Sequence, residues 1–167
     1  MDIAATVSSQ YLAALEMLKQ TISQCPESIW DSAEDKTKFW RIAYHVLFYT
    51  HLYLQDTAQT FTPWHLHRRD YELLGRRPWA PNDPIVIGEP YDKATVLDYL
   101  AFCQQQVAER VPALNPEAGS GFDWLPFNKL ELQIYNIRHL QQHTGELMER
   151  LGTRTGIELD WVAMKRG

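Results

Sequence analysis

Phe39-Trp40-Arg41-Ile42-Ala43-Tyr44-His45-Val46-Leu47-Phe48-Tyr49 is apolar or aromatic at every position except Arg41 and His45, and Leu52-Tyr53-Leu54 continues the pattern. It holds no Gly or Pro, so nothing in it breaks a helix. A helix apolar nearly all round is packed on most sides, so this segment is expected to be central among other helices. It is expected to begin after Asp31-Ser32 or Asp35 and to run to about Gln59.

Outward from that centre, three more helical stretches supply partners. Towards the N-terminus, Ile3, Val7, Tyr11, Ala14, Leu15, Leu18 and Ile22 recur at spacings of three and four, an amphipathic helix from about Ile3 to Ser23 that Pro26 ends. Towards the C-terminus, a third helix starts near Asp92, a good N-cap, and stops before Pro112, with Val96, Leu97, Leu100 and Val107 on its apolar face. A fourth runs from about Lys129 to Leu151 and stops at Gly152. Its expected core stripe is Leu130, Ile134, Ile137, Leu140, Leu147, Met148 and Leu151. The tail is expected to add a turn around Leu159-Asp160-Trp161-Val162-Ala163-Met164.

Between the second and third helices, residues 60–91 carry Pro63, Pro78, Pro81, Pro84 and Pro90, which rule out a long helix. Tyr71-Glu72-Leu73-Leu74 reads as one helical turn closed by Gly75. A connection of this length without regular structure is unusual in a compact domain unless it has a function. Residues 112–128, with Pro116, Gly119, Gly121 and Pro126, form a second loop. No strand pattern, internal repeat or low-complexity segment occurs. The expectation is an all-α fold in one domain over 1–167: a four-helix bundle with long connections between helices 2 and 3 and between helices 3 and 4. The first connection can cross the bundle, so a simple up-down-up-down order does not follow.

The 167 residues are 45% apolar and 22% charged, which excludes a disordered chain. Formal net charge is −5 and no cluster of five or more basic residues occurs, so no nucleic-acid partner is expected. No run of about 18 apolar residues exists, so no membrane span is expected. The start Met1-Asp2-Ile3-Ala4-Ala5-Thr6 lacks the basic and apolar regions of a signal peptide. Cys25 and Cys103 stand apart without Cys-x-x-Cys spacing; two distant cysteines could pair, but reduced thiols are expected. A soluble cytoplasmic protein is expected.

The chemistry-bearing pattern is Arg138-His139-Leu140-Gln141-Gln142-His143-Thr144-Gly145-Glu146-Leu147. Side chains at i and i+4 stack on one helix face, so His139 and His143 can chelate one divalent cation. The spacing is weak alone, because helices pair histidines by chance and a solvated polar face fits equally well. Leu140 stands where zinc peptidases carry a general-base Glu. A third imidazole from another helix would complete a facial triad. His45 is the candidate, with apolar neighbours Ile42, Tyr49 and Leu52 on its face, although a core His bonded to a Tyr hydroxyl is the plain alternative. Periodicity does not separate His45 from His51. His65 and His67 belong to the loop and are expected to be exposed.

The two segments together resemble the DinB-like superfamily, bacterial four-helix-bundle proteins that include metal-dependent thiol transferases. Phe39–Tyr49 is similar to that family's aromatic second-helix motif with one ligand His. Arg138–Leu147 is similar to its last-helix motif of two ligand histidines followed by a Gly-x-Leu pattern. The resemblance implies His45, His139 and His143 as ligands of a divalent ion, zinc or nickel foremost, and a homodimer. It implies a thiol-dependent S-transferase or a hydrolase acting on a small molecule, with a low-molecular-weight thiol as a possible partner, but no subfamily feature fixes the substrate.

On this reading Glu146, one turn beyond His143, can orient water or accept a proton, and Tyr49, one turn beyond His45, is the second catalytic candidate. The plain roles are a surface pair of Glu146 with Arg150 and core filling by Tyr49. Trp64, Trp79 and Trp124 can wall a pocket mouth or cap the end of the bundle. The alternative function is a non-catalytic dimeric binding or scaffold protein in which any metal ties helices together.

Overall fold

Short polar side chains set the starts of the longest helices. Asp2 Oδ1 accepts from the Ala5 amide at 2.9 Å, Asp92 Oδ1 from Thr95 at 2.7 Å and Asn128 Oδ1 from Glu131 at 2.8 Å, each satisfying an amide that has no partner within its helix. In the computed structural model, which describes residues 2–77 and 79–166, the helices are α1 (Ile3–Gln24), α2 (Glu27–Trp30), α3 (Phe39–Tyr53), α4 (Lys93–Arg110) and α5 (Lys129–Thr155). A 3-10 turn, Val111–Ala113, follows α4. Pro78, one of the expected helix breakers, lies outside the described residues, as do Met1 and Gly167. The fold is all-helical; among the described residues only two isolated bridges, Arg77 with Ala80 and Gly119 with Asn128, have extended pairing. No described helix is long and apolar enough to cross a membrane.

The expected second, third and fourth helices are thus α3, α4 and α5, and α2 is a single turn after Pro26 that the sequence reading did not include. α1 packs on α4 and α5, and α3 packs on the same two, so each long helix touches two others around a shared core. Tyr11, Leu15, Leu18, Ile22, Phe39, Ile42, Tyr44, Leu47, Leu100 and Leu140 fill it.

α3 is enclosed as its composition requires, with one exception. Its only residues that are not buried are Arg41, His45 and Tyr49, at i, i+4 and i+8, a single strip along one face. α3 ends at Tyr53, short of the expected Gln59. The Lys129 ammonium takes the Gln55 carbonyl at 3.1 Å, the Asp56 carbonyl at 2.8 Å and the Ser120 carbonyl, so carbonyls beyond the helix end are satisfied by a side chain. Gly121 closes against the same turn. Its φ is +86°, and a Cβ there would lie 1.8 Å from the Asp56 carbonyl oxygen.

α5 differs from expectation in face and in length. Ile134, placed in the core stripe, is exposed, whereas Leu132, Gln133, Asn136, Leu140, Thr144, Leu147 and Leu151 are buried. The reading favoured apolar positions, but polar residues occupy core positions with partners. Gln133 Oε1 accepts from the Tyr11 hydroxyl at 2.8 Å, Asn136 Nδ2 donates to the Thr50 carbonyl at 3.2 Å, and Thr144 donates to the Leu140 carbonyl at 2.8 Å. The helix continues through Gly152 and stops at Gly156, whose φ of +72° forms a left-handed cap.

The 60–91 segment has no helix among its described residues, yet it is tied down. Arg77 grips Asp70 with both arms of its guanidinium, Nε to Oδ1 at 2.9 Å and a terminal amino group to Oδ2. Arg68 and the Tyr71 hydroxyl both donate to the Glu89 carbonyl, at 2.8 and 2.9 Å. The tail makes no helical turn. It lies along α1, where Lys165 N donates to the Ser9 carbonyl at 3.4 Å and Gln10 Nε2 to the Ala163 carbonyl at 3.3 Å.

Candidate metal centre

Three histidines from two helices meet at one point. His45 comes from the half-buried strip of α3, and His139 and His143 come from adjacent turns of α5. One ring nitrogen from each lies within 4.8 Å of the other two, and the ring centroids are 4.8 to 5.1 Å apart. The ambiguity between His45 and His51 is resolved by position. His51 is buried on another side of α3, where its Nδ1 meets the Tyr99 hydroxyl at 3.2 Å.

Hydrogen bonds aim two of the three rings. His45 Nδ1 sits 2.5 Å from the Glu72 carbonyl oxygen. A carbonyl only accepts, so Nδ1 carries the proton and Nε2 presents a lone pair. His143 Nδ1 lies 3.0 Å from Glu146 Oε2; a carboxylate only accepts, so Nδ1 carries the proton and Nε2 is the nitrogen with a lone pair. His139 is different. Its Nε2 is 3.2 Å from His45 Nε2, and its Nδ1 is buried without a protein partner. No second bond locks its tautomer, so its proton can shift to Nδ1 and free Nε2.

The three rings could hold a divalent cation, and one pair already has the spacing that an ion needs. Metal–imidazole bonds of about 2.0–2.1 Å put two nitrogens on one ion roughly 2.9–3.4 Å apart, for angles between octahedral and tetrahedral. The 3.2 Å gap between His45 and His139 falls in that interval. Burial lowers the His45 pKa to about 3 and the His139 pKa to about 4, with the mutual repulsion of the three rings adding to both shifts. Both rings are therefore neutral at pH 7, the form that binds metal. Among the described residues no Cys, Asp or further His joins the group.

Glu146 makes the expected pair with Arg150 and a second contact with a histidine of the cluster. Oε2 accepts from His143, and Oε1 meets an Arg150 amino group at 3.4 Å. It touches the cluster through a ligand ring. The Tyr49 ring packs against His45 and His139, with centroids 4.8 and 5.7 Å away, and burial raises its pKa to about 12, so it is a protonated phenol at neutral pH. Tyr49 is not the hydrogen-bond partner of His45; that place belongs to the Glu72 backbone. Nothing in a sequence reports a backbone carbonyl brought in by a loop, and Glu72 was missed for that reason. Arg41, one turn before His45, was likewise not singled out. It reaches the Leu73 carbonyl, and its Nε is buried without a partner.

The tryptophans do not gather at the cluster. Trp64 is buried and stacked on Tyr99 at 4.5 Å, Trp79 is exposed, and Trp124 Nε1 points at the Tyr53 hydroxyl at 3.5 Å. His65 is exposed as expected. His67 is half-buried instead, because its Nδ1 meets the Tyr44 hydroxyl at 2.8 Å and its ring packs on Phe48.

Compared with protein-family models, curated proteins and solved structures, the chain matches none of them.

Proposed function

We propose that the chain is a metal-dependent enzyme of the DinB-like kind, a four-helix bundle that holds one divalent cation, zinc or nickel, on His45, His139 and His143. The observation that carries this is the convergence of three imidazole nitrogens, two of them presented by fixed Nδ1–H donors and two of them only 3.2 Å apart. Donor groups held in advance of the metal reduce the ordering cost of binding.

A divalent ion bound by three neutral imidazoles keeps its full charge and lowers the pKa of a water or thiol that occupies an open position. The chain's own residues supply the rest. The Glu72 carbonyl and Glu146 keep two rings oriented. Tyr49, as a protonated phenol beside the cluster, can donate a hydrogen bond to a developing anion. Glu146, joined to His143, spreads the positive charge of the site towards its carboxylate and is a positioning residue here. The proposed reaction is S-transfer from a low-molecular-weight thiol, or hydrolysis, on a small-molecule substrate. The proposed setting is a cytoplasmic homodimer with no nucleic-acid or membrane partner. The absence of a fourth protein donor from the described cluster favours an open position, and so the enzyme over a purely structural tie between α3 and α5.

The test is titration of chelator-treated protein with zinc and with nickel, followed by calorimetry. One ion per chain, lost in His45→Ala and in His139→Ala, is the expected result. No uptake by the folded wild-type protein would falsify the proposal.

A further inference from the structure

On the other side of α3, a second set of side chains surrounds a cavity that the histidine cluster does not use. His51 on α3 and Gln55, four residues on and just past the end of that helix, face Phe102, Gln106 and Arg110, at successive turns of α4, and Trp64 of the 60–91 segment closes the wall. The cavity encloses roughly 320 Å³, within the range of small-molecule sites. His51, Gln55 and Gln106 are each more than nine-tenths buried, although burying polar side chains between two helices is costly unless they find partners.

The partners they have are incomplete in one direction. His51 Nδ1 is engaged by the Tyr99 hydroxyl, and Nε2 has no partner among the described residues. Gln55 Nε2 donates to the His51 carbonyl at 3.1 Å, which leaves its side-chain oxygen for the cavity. Arg110 Nε donates to Gln106 Oε1 at 2.8 Å, and that bond holds the guanidinium in place. Its terminal amino groups pair with no carboxylate among the described residues, and neither Asp nor Glu lines the cavity. The Arg110 charge is felt at His51, whose pKa falls to about 4 mainly through burial and secondarily through Arg110. Thr60, Thr62, Pro63 and His65 line the loop side, and two further walls are flat rings. Phe102 meets the His51 ring edge-on at 4.9 Å, and Trp64 is stacked on Tyr99.

We propose that this cavity binds a small aromatic carboxylate, with the carboxylate on the Arg110 fork and His51, and the ring between Trp64 and Phe102. An arginine with a free planar fork selects a carboxylate by paired hydrogen bonds. Aromatic walls select a flat apolar body. The ligand chemistry and the residues differ from those of the three-histidine cluster, so this site does not depend on the metal reading.

The test is calorimetric titration of the full chain with benzoate, benzamide and acetate. Benzoate is expected to bind once per chain with a dissociation constant of about 1 mM or tighter, the scale for a ligand of its size. Benzamide, which lacks the charge, and acetate, which lacks the ring, are each expected to bind at least about tenfold more weakly. Arg110→Gln, at a half-exposed helix end, is expected to lose benzoate by a similar factor while keeping its melting temperature. His139→Ala is expected to bind benzoate as the wild type does. The proposal is overturned by any of three results: no saturable benzoate binding, unchanged binding in Arg110→Gln, or loss of benzoate in His139→Ala, which would place the ligand at the histidine cluster.

Discussion

At the scale of single residues, the cluster depends on which nitrogen of each ring is free. Glu146→Gln keeps the shape of the side chain but weakens its hold on His143 Nδ1, and outer hydrogen bonds of this kind are worth about 10–100-fold in metal affinity. Zinc titration of that variant is expected to show a loss in this range with stoichiometry unchanged; an unaltered affinity would mean that Glu146 serves only Arg150. His51 gives a separate prediction about pH. Its pKa in the folded protein is about 4, below the ordinary value of 6.5, so the unfolded chain binds the proton more readily. Its contribution is fully present above pH 6.5 and is lost as pH falls towards 4. The loss is on the order of 3 kcal/mol at one decade of K per pKa unit. Urea unfolding across that window should show a shallower decline in His51→Gln, and an identical slope would contradict the assignment.

At the scale of elements, the turn after α3 is where a small change has a large effect. Gly121→Ala forces a Cβ against the Asp56 carbonyl at a positive φ, so it is expected to destabilise the protein by at least about 2 kcal/mol, read from the denaturation midpoint. A midpoint within error of wild type would show that the turn can move aside. The same turn marks what a sequence can and cannot disclose. The start of α4 was legible because Asp92 is a local cap, and the burial of α3 was legible because its apolar residues run all round. Its end was not, because it depends on Lys129, more than seventy residues away in the chain. The α5 core face was misplaced for a related reason. Gln133, Asn136 and Thr144 are polar and so fall outside an apolar stripe, yet Tyr11, Thr50 and Leu140 supply the partners that let them be buried. The pair His139 and His143 was visible from spacing, and His45 from the resemblance. The Glu72 carbonyl that aims His45 was not, since it depends on the path of a proline-rich loop.

At the scale of the whole molecule, the cluster joins α3 to α5, two helices distant in sequence, so a bound ion ties the folded state together. A ligand that binds only the native state stabilises it by about 4 kcal/mol at a thousandfold excess over its dissociation constant. For a chain of this length that is a rise of roughly 8–16 °C in melting temperature. Thermal melting with and without zinc should show it, and should show none in His45→Ala; an equal rise in that variant would place the ion elsewhere. The most direct measurement of the central claim is X-ray absorption at the zinc edge on protein loaded with one equivalent. Three imidazole nitrogens at about 2.0–2.1 Å, with the rest of the shell filled by a light non-imidazole donor, is the result this account predicts. A shell with one imidazole or none, unchanged by His45→Ala or His139→Ala, would contradict it.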